Sequence, residues 1–387
     1  MITALAPHTR PVWAEVSRRR LLSNYRLLEQ LAGPDAELLA VVKANAYGHG
    51  VEGCARALAA AGTTWFGVTC VEEAVCLRAI LPTARILVMS GVWRGEADAV
   101  LEHQLTPVVW DSAHLEALLE AADRHRLESG SVRVHLEIDS GMSRQGVQLK
   151  NLLRLIEHFD PHSPLRVEAA MTHFHSPENP EATRDQIAQF ATCLQVLARH
   201  GMRLKFISAG SSADVLNSTS PDISHLAAQY GARRMFRTGI ALYGYAPCGT
   251  TSHDLQPVLS WKTRVTGLRE IEAGTTAGYG GTFRAERFTR LALLPVGYAD
   301  GLSRLLSNRG AVLIRGQRAP IAGRISMDQT MVDVTDIMRV DAGDEAVLIG
   351  TQGRESITAA DLAQCTGTIA YEVLCDIAAR VPRVMGD

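Results

Sequence analysis

Several features that are absent from this chain of 387 residues limit the class of protein to which it can belong. No apolar run approaches the roughly 18 residues that suggest a membrane-spanning helix, so we expect no membrane span. The charges nearly balance, with 39 Lys and Arg against 41 Asp and Glu, and the formal net charge is -2. Because no strong basic field exists, we expect neither nucleic acid nor an anionic membrane as a partner.

The cysteines lack the pairing that a disulfide framework or a zinc site needs. Their number is odd, none forms a C-x-x-C pair, and most lie in apolar stretches. The seven are Cys54, Cys70, Cys76, Cys193, Cys248, Cys365 and Cys375. We therefore expect buried thiols in a reducing cytoplasm. The first ten residues contain no apolar segment preceded by positive charge, so no secretory signal is predicted.

Short apolar runs alternate with helical patterns over the first two thirds of the chain. Eight runs are candidate strands: Leu38–Val42, Trp65–Thr69, Ile86–Met89, Leu105–Val109, Val132–Ile138, Val167–Thr172, Leu204–Ser208 and Arg233–Arg237. The candidate helices are Arg20–Leu31, Val51–Ala61, Ala113–Leu127, Leu149–Phe159 and Glu181–His200. Because strands that alternate with helices form parallel sheets, this pattern predicts an α/β fold with a (β/α)₈ TIM-like barrel. A doubly wound open sheet is the alternative, although no G-x-G-x-x-G follows the first strand.

The pattern changes near Leu255, where helical periodicity becomes scarce. Five β-rich runs follow: Val258–Leu268, Leu291–Val296, Ala311–Arg315, Thr330–Val334 and Ala346–Ile349, with one amphipathic stretch at Ala359–Cys365. Such runs, separated by Gly-containing turns, are typical of a β domain. We therefore expect a barrel over residues 1–250 and a mostly β C-terminal domain over residues 251–387.

Catalytic groups of a barrel gather at the C-terminal ends of its strands. The chemically active residues just past the candidate strands are Lys43, Thr69, Ser90, Asp139, His173, Ser208–Ser212 and Arg237. Lys43 directly follows four apolar residues, and partial burial there lowers the pKa of a lysine and makes its amine nucleophilic. On position alone, a lysine extending into solvent is the simpler interpretation.

The residues around Lys43 change that balance. The segment V-V-K-A-N-A-Y-G-H-G at 41–50 resembles the segment around the pyridoxal-phosphate lysine of the alanine racemase family. Five further segments are similar to the family's in the same order: R-T-G-I-A-L-Y-G at 237–244, A-G-Y-G at 277–280, G-Y-A-D-G at 297–301, G-R-I-S-M-D-Q at 323–329 and A-Y-E at 370–372. The resemblance implies a homodimer with shared active sites that uses pyridoxal 5′-phosphate to interconvert L- and D-alanine, supplying D-alanine for peptidoglycan.

The resemblance assigns the two proton-transferring groups to Lys43 and Tyr279, with Tyr279 supplied by the partner subunit. The chemistry agrees, because racemisation needs a proton donor and acceptor on each face of a planar carbanion. A free tyrosine has a pKa of about 10, so Tyr279 needs a cationic neighbour to act near neutral pH. Taken alone, Tyr279 is a turn residue in a Gly-rich hairpin.

Further matches concern the cofactor. Arg237 matches the arginine at the pyridine nitrogen, and because arginine stays protonated, that nitrogen stays unprotonated and side reactions are disfavoured. His173 matches a histidine beside the ring, whereas a zinc pair with His175 is a weaker alternative since a third ligand is absent nearby. The phosphate ligands by resemblance are Tyr47, Ser212, Gly239, Ile240 and Tyr371.

The substrate carboxylate is expected to bind Arg144 and the backbone of Met327. Two departures from the family stand out. Ser211 precedes Ser212 where the family usually has Asn, which leaves one phosphate contact open. Glu137 stands seven residues before Arg144, where many members carry a carbamylated lysine. A carboxylate there supplies the same charge on a shorter arm and would orient Arg144; an unrelated structural ion pair is the equal alternative.

Three alternatives to an alanine racemase stay open: a racemase of broader specificity for small amino acids, a decarboxylase of the same cofactor class, and a non-catalytic pyridoxal-phosphate-binding protein. Decarboxylases of this class typically place a carboxylate at the pyridine nitrogen, and Arg237 argues against that. The non-catalytic carriers are single barrels, and the β-rich region after Leu255 argues against them. The sequence does not decide whether serine is racemised as well.

Overall fold

The computed structural model describes residues 10–217, 221–247, 249–250 and 253–387. It divides into two compact units. The barrel unit comprises Leu21–Ala46 and Val51–Gln256, and the β unit comprises the described part of residues 1–20, Tyr47–Gly50 and Pro257–Asp387. The main division therefore lies a few residues after the predicted one, and the first strand of the chain groups with the β unit.

Eight parallel strands close the barrel. The first strand of the chain, β1 (Val12–Ser17), belongs to the β unit. The barrel strands are β2 (Ala36–Val41), β3 (Trp65–Val68), β4 (Arg85–Val88), β5 (Thr106–Val109), β6 (Val132–Glu137), β7 (Leu165–Met171), β8 (Phe206–Ser211) and β9 (Arg233–Thr238). Parallel pairing of β2 with β9, with Leu39 opposite Arg237, completes the ring. The TIM-like barrel and its eight predicted strands are confirmed, and the open sheet is excluded.

Helices connect the strands. They are α1 (Arg18–Ala32), α2 (Lys43–Tyr47), α3 (Val51–Ala60), α4 (Val71–Ile80), α5 (Ala97–Glu102), α6 (Ser112–Arg124), α7 (Leu149–Ile156), α8 (Pro180–Arg199), α9 (Ser212–Asn217) and α10 (Pro221–Gln229). All five predicted helices are present. Asp111 caps α6, because its carboxylate accepts the N–H of Ala113 at 2.8 Å. Helices cover the outside of the barrel, so strands such as β3 and β5 are buried along their whole length.

The β unit contains eleven further strands and two helices. They are β10 (Leu259–Arg264), β11 (Gly267–Ile271), β12 (Thr276–Ala277), β13 (Phe283–Arg284), β14 (Thr289–Leu294), β15 (Ala311–Ile314), β16 (Gln317–Pro320), β17 (Thr330–Asp333), β18 (Glu345–Gln352), β19 (Glu355–Ile357), β20 (Arg383–Gly386), α11 (Ala359–Thr366) and α12 (Ala370–Cys375). The mostly β character is confirmed. The predicted run Val258–Leu268 is wrong as a single strand, because β10 and β11 belong to different sheets.

Strands from both ends of the chain build the main sheet of the β unit. Its order is β16-β15-β18-β10-β1-β20, with β19 paired to β18, and a second sheet has the order β11-β14-β17. β1 lies between β10, to which it is antiparallel, and β20, to which it is parallel. Neither β1 nor β20 was predicted from the sequence, because each lies outside the main β-rich region.

Six of the seven cysteines lie among the described residues, and none of these six forms a disulfide. Cys54 and Cys193 are buried as expected, whereas Cys76 and Cys375 are exposed, so the expectation of buried thiols is wrong for the latter pair. Cys248 lies outside the described residues. Within the described ranges, no helix combines the length and the apolar character needed to cross a membrane.

An ion pair crosses the barrel interior at the N-terminal end of the strands. Arg85, the first residue of β4, lies 2.7 Å from the Glu168 carboxylate of β7 and stacks 4.2 Å from the ring centroid of Trp65. The Glu168 side chain is only 7% exposed. Burial alone would raise the pKa of Glu168, but its contacts with His135 and Arg85 outweigh this and hold the pKa at about 2. This end of a barrel serves stability rather than catalysis.

We expect Glu168→Gln to lower the free energy of unfolding at pH 7 by about 2 kcal/mol, because Arg85 loses its buried partner. The folded-state pKa lies below the ordinary 4.5, so the stabilisation is present above pH 4.5 and is lost as pH falls towards 2. Urea unfolding at several pH values measures the difference. Glu52→Gln, which breaks an exposed pair with Arg56, is the control and should cost no more than about 0.5 kcal/mol. Equal effects of the two substitutions would contradict the prediction.

Candidate active site

Lys43 lies at the C-terminal end of β2, as the sequence predicts. The N–H of Val42, the residue before Lys43, donates to the carbonyl of Gly67 in β3. Lys43 itself is half-buried. The backbone then turns in an unusual way. Ala44, Asn45, Ala46 and Tyr47 have φ values of 51°, 54°, 56° and 51°, so α2 is one turn of left-handed helix.

Left-handed backbone is strained when the residue is not glycine, at about 1–2 kcal/mol for each residue. Such a turn persists only where surrounding contacts determine it. The Ala46 N–H donates to the Val42 carbonyl at 2.8 Å. The Asn45 side chain accepts the N–H of Val51, the first residue of α3, at 2.8 Å. These contacts fix the chain on the C-terminal side of Lys43.

Arg237, in β9, is 7% exposed and bound on both of its terminal nitrogens. Nη1 donates to the carbonyl and the hydroxyl of Ser208, each at 2.7 Å. Nη2 donates to the Thr172 carbonyl at 2.7 Å and to His173 Nδ1 at 3.1 Å. Arginine has five N–H donors, so within the described residues the Nε hydrogen is the donor that remains for a ligand.

His173 is held as a neutral imidazole beside this guanidinium. Arg237 can only donate, so His173 Nδ1 is the acceptor and the ring proton is on Nε2. Burial, followed by the positive charges of Arg237, Arg144 and Lys43, lowers the pKa of His173 to about 3. His175 instead bonds through Nδ1 to the hydroxyl of Ser176. In the part of the chain that the structure describes, no group of three or more His, Cys, Asp or Glu could hold a metal ion.

Ser212, Gly239 and Ile240 meet where β8 and β9 end. Ser212 is 5% exposed, and its hydroxyl oxygen accepts the Gly239 N–H at 3.0 Å. Ile240 opens a short 3₁₀ turn, Ile240–Tyr243. Ser211, at the position where the family usually has Asn, donates both its N–H and its hydroxyl to Asp214. Ser211 is therefore engaged within the protein, whereas Ser212 can still donate its hydroxyl proton to an anion.

Tyr47 and Tyr371 lie together in the β unit, with ring centroids 6.1 Å apart. Burial, with smaller effects of Tyr371 and Cys375, raises the pKa of Tyr47, and burial raises the pKa of Tyr371 to about 12. Both hydroxyls therefore stay protonated near neutral pH. Gly48 holds this arrangement, because a Cβ there would lie 2.1 Å from the Leu374 carbonyl oxygen of α12.

Tyr279 lies in the turn between β12 and β13, and 70% of its surface is exposed. Gly278 and Gly280 flank it, both in the left-handed region. The segment that begins at Gly323 packs against this turn, since a Cβ on Gly323 would lie 2.9 Å from the Ala277 carbonyl oxygen. Arg324 Nη1 lies 3.0 Å from the point where a Cβ of Gly280 would be, so a cation borders the Tyr279 turn.

Met327 is presented by the same region of the β unit. It lies in a turn closed by the Ser326 N–H and the Gln329 carbonyl, and it is 54% exposed. This turn binds the 297–301 segment, because the Ala299 N–H donates to the Met327 carbonyl at 3.0 Å. Asp300 is fully buried and accepts hydrogen bonds from Arg10, Arg380 and the Gly297 N–H, which fixes the segment.

Glu137 is buried, and its hydrogen-bond partner is Gln145 rather than Arg144, the partner in one of the two interpretations of the sequence. Its carboxylate accepts from Gln145 Nε2 at 2.5 Å, and the same nitrogen lies 3.1 Å from the Met89 carbonyl. Arg144 is exposed and acts on Glu137 only through its charge. Burial raises the pKa of Glu137, while the charge of Arg237 and the Gln145 bond oppose the rise. Gln145, the residue after Arg144, is thus held by Glu137 and by Met89, which directly follows β4.

Seven of the sequence-assigned residues fall in the barrel unit: Lys43, Arg144, His173, Ser212, Arg237, Gly239 and Ile240. Four fall in the β unit: Tyr47, Tyr279, Met327 and Tyr371. Sequence reasoning did not identify Gln145 or the role of Ser208 as a partner of Arg237. Neither residue belongs to a recognisable sequence motif, so only the contacts in the folded structure show these roles.

Comparisons with known proteins identify the family of both domains. Residues 16–247 match the model of the alanine racemase N-terminal domain, and residues 258–385 match that of its C-terminal domain. The alanine racemase of Symbiobacterium thermophilum is 41% identical over 382 residues, which cover 97% of each chain. The solved alanine racemase of Bacillus anthracis with bound L-Ala-P has a TM-score of 0.88 at 31% identity and covers 99% of this chain and 96% of that one. That of Bartonella henselae with covalently bound pyridoxal phosphate has a TM-score of 0.84 at 30% identity and covers 97% of this chain and 99% of that one.

The position of His173 beside a buried cation predicts that its imidazole does not take up a proton between pH 5 and pH 8. With a pKa of about 3, it is almost entirely neutral even at pH 5. Nitrogen NMR of histidine-labelled protein measures this, with the His173 signal assigned from a His173→Gln sample and added imidazole reporting the pH. A His173 signal that titrates within this range would contradict the electrostatic description of the site.

Proposed function

We propose, from the premise that this chain belongs to the alanine racemase family over both of its domains, that it is an isomerase interconverting L-alanine and D-alanine with pyridoxal 5′-phosphate. The observation that carries the proposal is Arg237, a buried guanidinium whose Nε hydrogen is, among the described residues, the one donor that remains for a ligand. A carboxylate at this position would favour decarboxylation chemistry. The β unit argues against a single-barrel carrier of the cofactor.

The donors at the strand ends fit the cofactor that the family uses. The Ser212 hydroxyl, the Ile240 N–H and the protonated hydroxyls of Tyr47 and Tyr371 are short, uncharged donors suited to a phosphate. The Gly239 N–H, assigned to the phosphate from the sequence, instead donates to Ser212 Oγ and so orients that hydroxyl. Arg237 Nε would bind the pyridine nitrogen, with neutral His173 beside the ring. Lys43 at the end of β2 is the amine that would attach the aldehyde.

When bound, the cofactor withdraws electrons from the amino acid and makes its Cα–H acidic. Lys43 Nζ removes or returns the Cα proton on one face, and Tyr279 Oη does so on the other. Arg144 and the Met327 N–H bind the substrate carboxylate and orient Cα towards these two groups. Because Arg237 is permanently charged and can only donate, it would favour an unprotonated ring nitrogen and so disfavour transamination.

We further propose that the active enzyme is a homodimer in which Tyr279 serves the partner's Lys43. The 70% exposure of Tyr279 supports this, because a catalytic tyrosine must be covered by some neighbour before it can work in a water-poor site. The product would supply peptidoglycan synthesis in the cytoplasm. Serine and other small amino acids are the substrates against which specificity must be measured.

With added pyridoxal phosphate, the protein should convert L-alanine to D-alanine, and Lys43→Ala should reduce the rate by at least about 100-fold through loss of the base. Chiral chromatography with a panel of small amino acids measures both activity and specificity. Lys150→Ala, at an exposed lysine of α7, is the control and should leave the rate unchanged. Release of CO₂ instead would identify a decarboxylase, and the absence of any turnover would favour a binding protein.

Tyr279→Phe should slow proton removal from one alanine enantiomer much more than from the other, because it removes the base from a single face. Solvent deuterium incorporation into each enantiomer measures this, with Tyr230→Phe as the control tyrosine. Unchanged exchange from both enantiomers would reject the two-base scheme.

Tyr279→Phe also tests whether each active site is shared between two subunits. Mixing Lys43→Ala chains with Tyr279→Phe chains gives hybrid dimers with one intact site each, so part of the activity should return. If verified subunit exchange restores nothing, the two residues do not come from different chains.

A further inference from the structure

Glu73, the third residue of α4, bonds to two loops at the C-terminal end of the barrel. Its Oε1 accepts the backbone N–H of Ala44 at 2.7 Å, and its Oε2 accepts the backbone N–H of Thr69 at 2.8 Å. Ala44 directly follows Lys43, and Thr69 directly follows β3. One carboxylate therefore joins the loops that leave two neighbouring strands of the barrel.

The contact acts on the peptide that carries Lys43. The N–H of Ala44 and the carbonyl of Lys43 belong to one planar peptide group, so binding that N–H restricts the ψ angle of Lys43. Ala44 also begins the left-handed turn, at φ 51°. Because this backbone is strained, it needs an external partner, and a carboxylate that accepts N–H groups on both oxygens is a strong one.

The barrel supplies a rigid reference for this contact. Thr69 stands at the end of β3, which pairs with β2 along Leu39–Val41. The Val42 N–H is bonded to the Gly67 carbonyl on the same strand. Glu73 thus ties the C-terminal side of Lys43 to β3, the strand that already holds its N-terminal side, and the Lys43 backbone is bound from both directions.

We propose that Glu73 is a positioning residue for Lys43, acting through the Ala44 N–H to hold the left-handed turn and to aim the lysine amine at the substrate. The consequence for rate rests on the function proposed above, whereas the backbone contact does not. Small displacements of a catalytic group cost much of its effect, so a flexible lysine needs a fixed backbone.

Glu72 provides a matched control from the same helix turn. It is adjacent in sequence and equally charged, but its side chain is exposed. Glu72→Gln removes the same charge near the same helix terminus without touching the Ala44 or Thr69 N–H. Any effect specific to Glu73→Gln is therefore due to the two backbone contacts.

Amide hydrogen exchange in protein kept without pyridoxal phosphate tests the contact itself. A glutamine at 73 has one acceptor oxygen and would point an N–H₂ group at the second backbone donor. Exchange at Ala44 and Thr69 should therefore be about tenfold faster in Glu73→Gln than in wild type or Glu72→Gln. Unchanged exchange at both positions would overturn the proposal.

Steady-state kinetics test the positioning role. In Glu73→Gln, kcat for alanine should fall about tenfold in both directions while KM changes by less than about twofold, because Arg144 is untouched. Glu73→Asp, whose shorter arm reaches the two loops less well, should give an intermediate loss, and it replaces Glu73→Gln if the latter does not fold. Faster exchange with unchanged kcat would show that the contact is structural only and would overturn the proposal.

The two proposals fail in different ways. If wild-type protein does not racemise alanine, the proposed function fails, whereas faster exchange at Ala44 in Glu73→Gln still supports the contact that holds the Lys43 backbone. If wild type is active and both Glu73 variants match Glu72→Gln in exchange and in kcat, the positioning role alone is rejected.

Discussion

The buried guanidinium of Arg237 is the constraint on which the barrel end depends. A charge removed from water must be solvated by the protein, and here the acceptors are the Thr172 carbonyl just after β7, the Ser208 carbonyl and hydroxyl within β8, and His173 Nδ1. These strands supply the acceptors only when the barrel is closed. Burial and this charge together keep His173 neutral, and the bonds on both terminal nitrogens of Arg237 leave its Nε hydrogen, within the described residues, as the remaining donor.

At the opposite end of the barrel, a buried charge is likewise compensated within the protein, and there the contact stabilises the fold. Arg85 and Glu168 satisfy each other beside Trp65. The barrel interior thus contains charged groups in two roles. Arg85 and Glu168 form an ion pair, whereas Arg237 is a cation with one N–H left, among the described residues, for a ligand. This separation fits the general division between the stabilising and the catalytic ends of such barrels.

Strain is concentrated beside the residue that needs the most accurate placement. Four residues without the freedom of glycine adopt left-handed backbone directly after Lys43. Glu73, Asn45 and the Val42 carbonyl bind this turn and offset its cost. In the β unit, by contrast, glycines permit the turns, as at Gly278 and Gly280 around Tyr279.

The sequence by itself determined the eight barrel strands, the β-rich C-terminal region and the motif residues, because alternation and short motifs are local properties of the chain. Only the tertiary structure decided which residues meet. The partner of Glu137 is Gln145, not Arg144, and Glu73 reaches Ala44 across 29 positions. β1 and β20 join one sheet from opposite ends of the chain. Such pairings depend on which surfaces become neighbours after folding, and no local pattern records them.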